Sequence, residues 1–320
     1  MHLSIIIPTR NREKLLTQCL ESLVKQTYDK KKYEIIVVDN NSTDCTKRVV
    51  ESYKSKFPEI GIHYVLESRL GLVFARHAGA KKASYEFLVY GDDDGLYSNN
   101  WLQEIAKIYA LNEKVCAVGT KIVIKWDAQP PDWVLPYEPL LGKLDYQTEG
   151  ILPQGSYING GSFSIKKSVL YELKGFNPDQ IDDWLIGDGE SGLCTKIHNT
   201  NYLIGWTSNA YMEHCQFIQR NATVKDIRRR FANNGIGLPY RVFAVDKKGL
   251  IVLVPVFFSA LFNSLLWWGR YQYYLLRRKE RNRIFDAIFN YAFFQGQIPY
   301  ILRIFFVKRF RKYLLLTDWF

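Results

Sequence analysis

The sequence lacks the usual signatures of a nucleotide-binding sheet. No Gly-x-Gly-x-x-Gly opens a helix in the first half of the chain, and no Gly-x-x-x-x-Gly-Lys-Ser/Thr occurs anywhere, so neither a dinucleotide fingerprint nor a P-loop supplies ligand chemistry. Cysteine is sparse: Cys19, Cys45, Cys116, Cys194 and Cys215 are odd in number and contain no Cys-x-x-Cys, which argues against a zinc or redox pair and for a reducing compartment. A basic n-region and a long apolar h-region are missing near Met1, where Leu3 to Ile7 reads as a strand, so no secretory signal is expected. Surplus positive charge is absent from residues 1–224, which carry 25 Lys/Arg against 27 Asp/Glu, whereas residues 225–320 carry 18 against 5, a net of +13. That partition argues against a nucleic-acid partner and fits a neutral enzyme body with a basic appendage. What is present is a globular composition, 47% hydrophobic and 15% aromatic over 320 residues, enough for a substantial core.

Strand-like and helix-like stretches alternate from the start. Leu3 to Pro8 is a β-branched run ended by proline, and Thr9-Arg10-Asn11-Arg12 leads into a helix with apolar Leu15, Leu16, Cys19, Leu20 and Leu23. Tyr33 to Val38 is the next strand, stopped by Asp39-Asn40-Asn41-Ser42, with Ser42 or Thr43 as the expected cap of the following helix. Ile62 to Leu66, Leu72 to Ala83 and Phe87 to Tyr90 read as strand, helix and strand. Such alternation predicts an α/β fold with a doubly wound, mostly parallel sheet flanked by helices, whose ligands bind beyond the carboxyl ends of the strands. Thr9 to Arg12, Asp39 to Asp44 and Asp92 to Asp94 all fall there.

Asp92-Asp93-Asp94 follow the fourth strand directly. Three adjacent carboxylates repel one another unless a cation or open solvent relieves them, and Asp-x-Asp at a strand end offers two arms to one hard cation such as Mn²⁺ or Mg²⁺. Arg10, Arg12 and Arg76 can neutralise a diphosphate, and Asp39 can accept hydrogen bonds from a base or ribose. A nucleotidyltransferase would use the same sheet and metal. A non-catalytic membrane-binding or nucleic-acid-binding protein would use only the basic tail.

The ordered set Ser4 to Arg12, Val37 to Asp44, Gly71 to Gly79 and Asp92 to Asp94 resembles the family 2 glycosyltransferases of GT-A fold, over about residues 3–235. The resemblance implies an inverting transferase using a nucleotide-diphosphate sugar, with UDP the leading nucleotide, and Mn²⁺ or Mg²⁺. It implies that Asp39 holds the base, that Pro8, Thr9, Arg10, Arg12, Asn41, Arg76 and Asp93 surround the nucleotide, and that Asp92 and Asp94 take the metal. Gly160 and Gly161, whose lack of side chains permits close backbone approach, correspond to a stretch beside the donor sugar. An inverting transfer needs one base for the acceptor hydroxyl. Anchored on Leu193, the family's acidic motif places that base at Glu190, with Asp188 one residue early as the other candidate or as a helix cap. His214 corresponds to a histidine that helps hold the metal or diphosphate, and Arg220 with Arg228 to Arg230 to a basic helix near phosphates. Gln-x-x-Arg-Trp and pore-forming helices are missing, which implies transfer of a single sugar to a polysaccharide or lipid-linked acceptor.

Residues 121–158, rich in Trp, Tyr and Pro, read as an elaborated loop whose rings either touch acceptor or pack. The expected division is a catalytic domain over residues 1–240, with a nucleotide half to about 120, and a helical appendage over 241–320. Gly249 to Gly269 contains no charged residue, but Pro255, Asn263 and Ser264 interrupt it and both flanks are basic. It reads as attachment to an anionic membrane surface at the cytoplasmic face rather than as a span, with oligomerisation through the tail as a further use.

Overall fold

A computed structural model describes the chain from Met1 to Phe320 apart from residues 179, 182, 183, 188 and 317, with Ile181 described by its backbone alone. Asp188 therefore lies outside the described residues. The first four strands are β1 (Leu3–Thr9), β2 (Tyr33–Asp39), β3 (Gly61–Leu66) and β4 (Phe87–Gly91). They alternate with helices α1 (Glu13–Val24), α2 (Thr46–Lys56) and α3 (Leu72–Lys82). β1 and β2 are buried at every residue, as continuous β-branched runs require when helices cover both faces. α2 begins later than expected: neither Ser42 nor Thr43 caps it. Instead Asp44 accepts the Thr46 N–H at 3.0 Å and Glu13 accepts the Cys45 N–H at 2.7 Å.

The second half comprises β5 (Gly95–Tyr97), α4 (Trp101–Tyr109), β6 (Val115–Trp126), β7 (Glu149–Ile151), β8 (Ser162–Lys166) and α5 (Lys167–Glu172). The pair β9 (Gln180–Ile181) and β10 (Trp184–Leu185), α6 (Gly189–His198) and β11 (Leu203–Gln216) follow. Among the described residues the main sheet runs β3-β2-β1-β4-β8-β6-β11-β5, with β7 on β11. Pairing is parallel from β3 through β4. It turns mixed at β8, which is antiparallel to both β4 and β6, while β6 and β11 are parallel. The sheet thus leaves the parallel pattern at β8, which runs between β4 and β6 in the opposite direction to both.

Short helices α7 (Ile218–Asn221) and α9 (Gly237–Tyr240) flank α8 (Val224–Gly235), and α10 (Leu253–Leu276), α11 (Arg281–Phe306) and α12 (Lys308–Leu314) form the tail. Among the described residues no helix is long and apolar enough to cross a membrane. The tail is built into the body. A Cβ on Gly235 would lie 2.1 Å from the Phe293 carbonyl oxygen, and one on Gly296 2.2 Å from that of Ala232, so α8 and α11 cross with backbones in contact. The aromatic segment after β6 joins the same core: Trp133 packs on Phe285 and Phe289, and Tyr137 on Phe231 and Phe289. These rings are packing elements. A second shared core joins Ile186 and Tyr240 to Leu253, Tyr300 and Phe310, with the Tyr300 hydroxyl donating to the Ile186 carbonyl at 2.7 Å. Finally, residues 319 and 320 return to α3. His77 Nε2 accepts the Phe176 N–H at 3.0 Å, so Nδ1 carries the proton and donates to the Trp319 carbonyl at 3.0 Å, while Phe320 stacks on the ring at 4.2 Å.

Candidate active site

The turn after β4 sends its three carboxylates two ways. Asp93 faces β1, accepting from Thr9 Oγ1 at 2.7 Å and from Arg12 Nη1 at 2.8 Å, and the same Arg12 atom reaches Asp94 Oδ2 at 2.9 Å. Asp92 and Asp94 face the other way, towards His214, and one ligating atom from each of the three lies within 4.8 Å of the others. His214 arrives through sheet register: β11 pairs antiparallel with β5, setting His214 opposite Gly95, the residue after Asp94. Burial, followed by the charge of Asp94, raises the Asp92 carboxyl above the usual range, and burial pushes Asp93 up to about 6. Burial works to raise Asp94 too, but His214 and Arg12 prevail and hold it below the usual range. Conversely, burial works to lower His214, and Asp94 prevails to raise it. Buried Asp94 Oδ1 has His214 Nε2 3.3 Å away yet makes no hydrogen bond among the described residues. Two carboxylates and an imidazole, with an acceptor oxygen left over, fit a divalent cation of the Mn²⁺ or Mg²⁺ type.

Arg76 connects this trio to the acidic helix. It lies on α3, 4% exposed, with Nη1 3.2 Å from Glu190 Oε2 and Nη2 3.9 Å from Asp92 Oδ1. Glu190 stands in the first turn of α6, and its Oε1 accepts the Gly160 N–H at 3.1 Å. The two glycines are needed for space: a Cβ on Gly160 would sit 2.3 Å from Arg76 Nη2 and 2.9 Å from Glu190 Cδ, and one on Gly161 2.9 Å from Asp92 Oδ2.

Beside the trio opens a cavity of about 420 Å³, lined by Pro8, Thr9, Arg10, Arg12 and Asp92 to Asp94 on one side and by His214, Arg220 and Arg230 on the other. Asp39 and Asn41 do not line it. Asp39, buried at the end of β2, accepts from the Ser42 N–H and the Tyr64 hydroxyl, both at 2.7 Å. Asn41 is exposed with φ 64°, and its neighbour Asn40 lines the cavity instead. Of the basic run on α8, Arg230 alone reaches the cavity. Its Nε donates to Asp226 at 2.7 Å and its Nη1 to the Leu140 carbonyl at 3.0 Å.

The sequence profile described as Glycosyl transferase family 2 matches residues 4–176, more than half of the chain. Poly(ribitol-phosphate) β-N-acetylglucosaminyltransferase TarS of Staphylococcus aureus is 35% identical over 106 residues, 33% of this chain but only 18% of that protein. The glucosyl-dolichyl phosphate glucuronosyltransferase of Haloferax volcanii is 24% identical over 226 residues, 69% of this chain and 71% of that protein. Among solved structures, the mannosyltransferase PcManGT from Pyrobaculum calidifontis, in complex with GDP-Man and Mn²⁺, superposes with a TM-score of 0.57 at 19% identity, over 98% of this chain and 73% of that one. That likeness concerns the fold. The matched profile shows that the chain belongs to glycosyl transferase family 2.

Proposed function

We propose that this protein is an inverting glycosyltransferase that moves one sugar from a nucleotide-diphosphate donor to a polysaccharide or lipid-linked acceptor. The observation that carries the reading is the line Glu190, Arg76, Asp92, with gaps of 3.2 and 3.9 Å. It links a candidate base to a metal-type trio through one buried cation. Arg10, Arg12 and Arg76 bind the diphosphate, with Pro8, Thr9 and Asp93 shaping that wall and Asp39, at the end of β2, holding the nucleoside. Gly160 and Gly161 leave room for the Arg76, Glu190 and Asp92 side chains that face the donor sugar. Glu190 takes the proton of the acceptor hydroxyl as that oxygen bonds to the sugar's anomeric carbon and the bond to the diphosphate breaks. Asp92, Asp94 and His214 would hold Mn²⁺ or Mg²⁺, whose charge when bound favours departure of the diphosphate. Relatives named for poly(ribitol phosphate) and for dolichyl-phosphate sugars support a polymeric or lipid-linked acceptor. Calorimetric titration with UDP, GDP and dTDP, with and without Mn²⁺, is the test. One nucleotide is expected to bind only with metal, and Asp92→Ala/Asp94→Ala to abolish it; binding indifferent to both would sink the reading.

We assign the tail to peripheral attachment at the cytoplasmic face of an anionic membrane. α10 leaves Val254, Phe258, Phe262, Leu265 and Trp268 exposed along one stripe, between Lys247-Lys248 and Arg277-Arg278-Lys279. An apolar stripe with basic ends suits an interfacial helix.

A further inference from the structure

The end of β11 and the short α7 supply part of the wall of the cavity beside the trio, and two side chains there are short of partners. Gln216 is 4% exposed and Asn221 7%, and both line the cavity. β11 keeps an unbroken register with β6 from Tyr211 to Gln216, so its side chains alternate there. Gln216 therefore shares a face with His214, two residues or about 7 Å along the strand, and that is the face turned to Asp92 and Asp94. Its amide makes no hydrogen bond to any described residue, and Oε1 is sealed from solvent as well. A buried amide left wholly unmet is rare in a native fold and calls for a reason. Asn221 is half met. Its Oδ1 accepts the Phe217 N–H at 3.1 Å, which fixes the orientation of the amide and leaves Nδ2 without a partner among the described residues.

What the two amides offer is one-sided. Both nitrogens are free to donate, whereas one oxygen is sealed and the other is occupied, so neither oxygen accepts from a ligand. A sugar hydroxyl or a base edge brings donors of its own that need acceptors, and the amides give them none. Phosphate oxygens only accept. The company of the amides agrees, because Arg10, Arg12, Arg220 and Arg230 line the same cavity while Gly160, Gly161, Glu190 and Asp39 do not. An amide also differs from a further guanidinium in a way that matters next to a metal-type trio. It donates without adding positive charge, so it does not compete with a divalent cation for Asp92 and Asp94.

We infer that Gln216 and Asn221 bind the nucleotide diphosphate, each giving an amide N–H to a phosphate oxygen held beside the trio. The inference rests on the transferase reading, which supplies that diphosphate. Calorimetric titration of the full chain in Mn²⁺ with UDP, GDP and dTDP, and separately with inorganic pyrophosphate, tests it. The nucleotide that the wild type binds should bind more weakly, by about tenfold or more, to two variants. Gln216→Met keeps the length of the side chain, and Asn221→Asp keeps the acceptor for the Phe217 N–H. The Tm of Gln216→Met should equal or exceed that of the wild type, because the apolar side chain leaves no amide unmet. Affinity within about twofold of the wild type in either variant overturns the pair, as does a loss of affinity matched by a fall in Tm in both. Pyrophosphate bound by the wild type and lost in both variants, with no nucleotide bound, upholds the phosphate contact and sinks the nucleotide-sugar reading alone. A wild type that binds neither nucleotide nor pyrophosphate overturns both.

Discussion

α10 and α11 are neighbours of nearly equal length, 24 and 26 residues, both rich in Phe, Tyr, Leu and Ile, yet they solve opposite problems. α11 buries nine residues, from Phe285 to Ile304, because α8, α10 and the Trp133 segment surround it. α10 buries only Leu253, Ala260 and Ser264, and holds Phe262 at 66% and Leu265 at 63% exposure. Composition alone therefore does not say what an apolar helix is for. The number of faces already taken by the rest of the chain does, and α10 has a face to spare.

The largest expected effect breaks the symmetry of the pair. Phe289→Ala in α11 removes a fully buried ring stacked on Phe231, and should cost about 3–5 kcal/mol in chemical denaturation. Phe262→Ala in α10 should change stability by less than about 0.5 kcal/mol. Equal losses would mean that α10 is covered.

Next comes the anchorage of the tail on α3. His77 is 1% exposed, and burial lowers its pKa from 6.5 to about 4. Between those values the unfolded chain binds the proton and the folded chain does not, so stability rises with pH across this window. The contribution is fully present above pH 6.5, is lost as pH falls towards 4, and amounts to about 3 kcal/mol. His77→Gln should flatten the dependence of Tm on pH between 4 and 6.5; an unchanged slope would place the acid sensitivity elsewhere.

The smallest change in stability accompanies the clearest change in behaviour. Phe258→Ser/Phe262→Ser should leave Tm nearly unaltered while abolishing co-flotation with vesicles containing phosphatidylserine. Loss of a dimer in light scattering, with flotation intact, would instead make the stripe a contact between two copies.

Local pattern made half of this molecule readable. β1 and β2 could be seen because strands buried on both faces must be apolar without interruption, and Asp92 to Asp94 because like charges rarely crowd at a strand end without a use. Glu190 and Arg76 were visible as residues, but their 3.2 Å contact joins positions 114 apart in the chain and depends on Gly160, which stands elsewhere again. Asn40 rather than Asn41 lines the cavity beside Asp92 to Asp94 because the turn after β2 puts Asn41 at positive φ, a one-residue distinction that no periodicity carries. Trp133 and Tyr137 left packing and acceptor contact open. Their partners, Phe231, Phe285 and Phe289, lie about a hundred residues or more away, where composition has no reach.

The glycine crossing of α8 and α11 also has a mechanical meaning. Backbones in contact at Gly235 and Gly296 leave no slack for a swinging arm, and α8 itself carries Arg230 to the wall of the cavity beside Asp92 and Asp94. The tail is a bracket, not a leash. Any surface that takes up the α10 stripe meets the cavity beside Asp92 and Asp94 at one height and one tilt, so the reach from that surface to the cavity is set by this geometry instead of by a flexible linker.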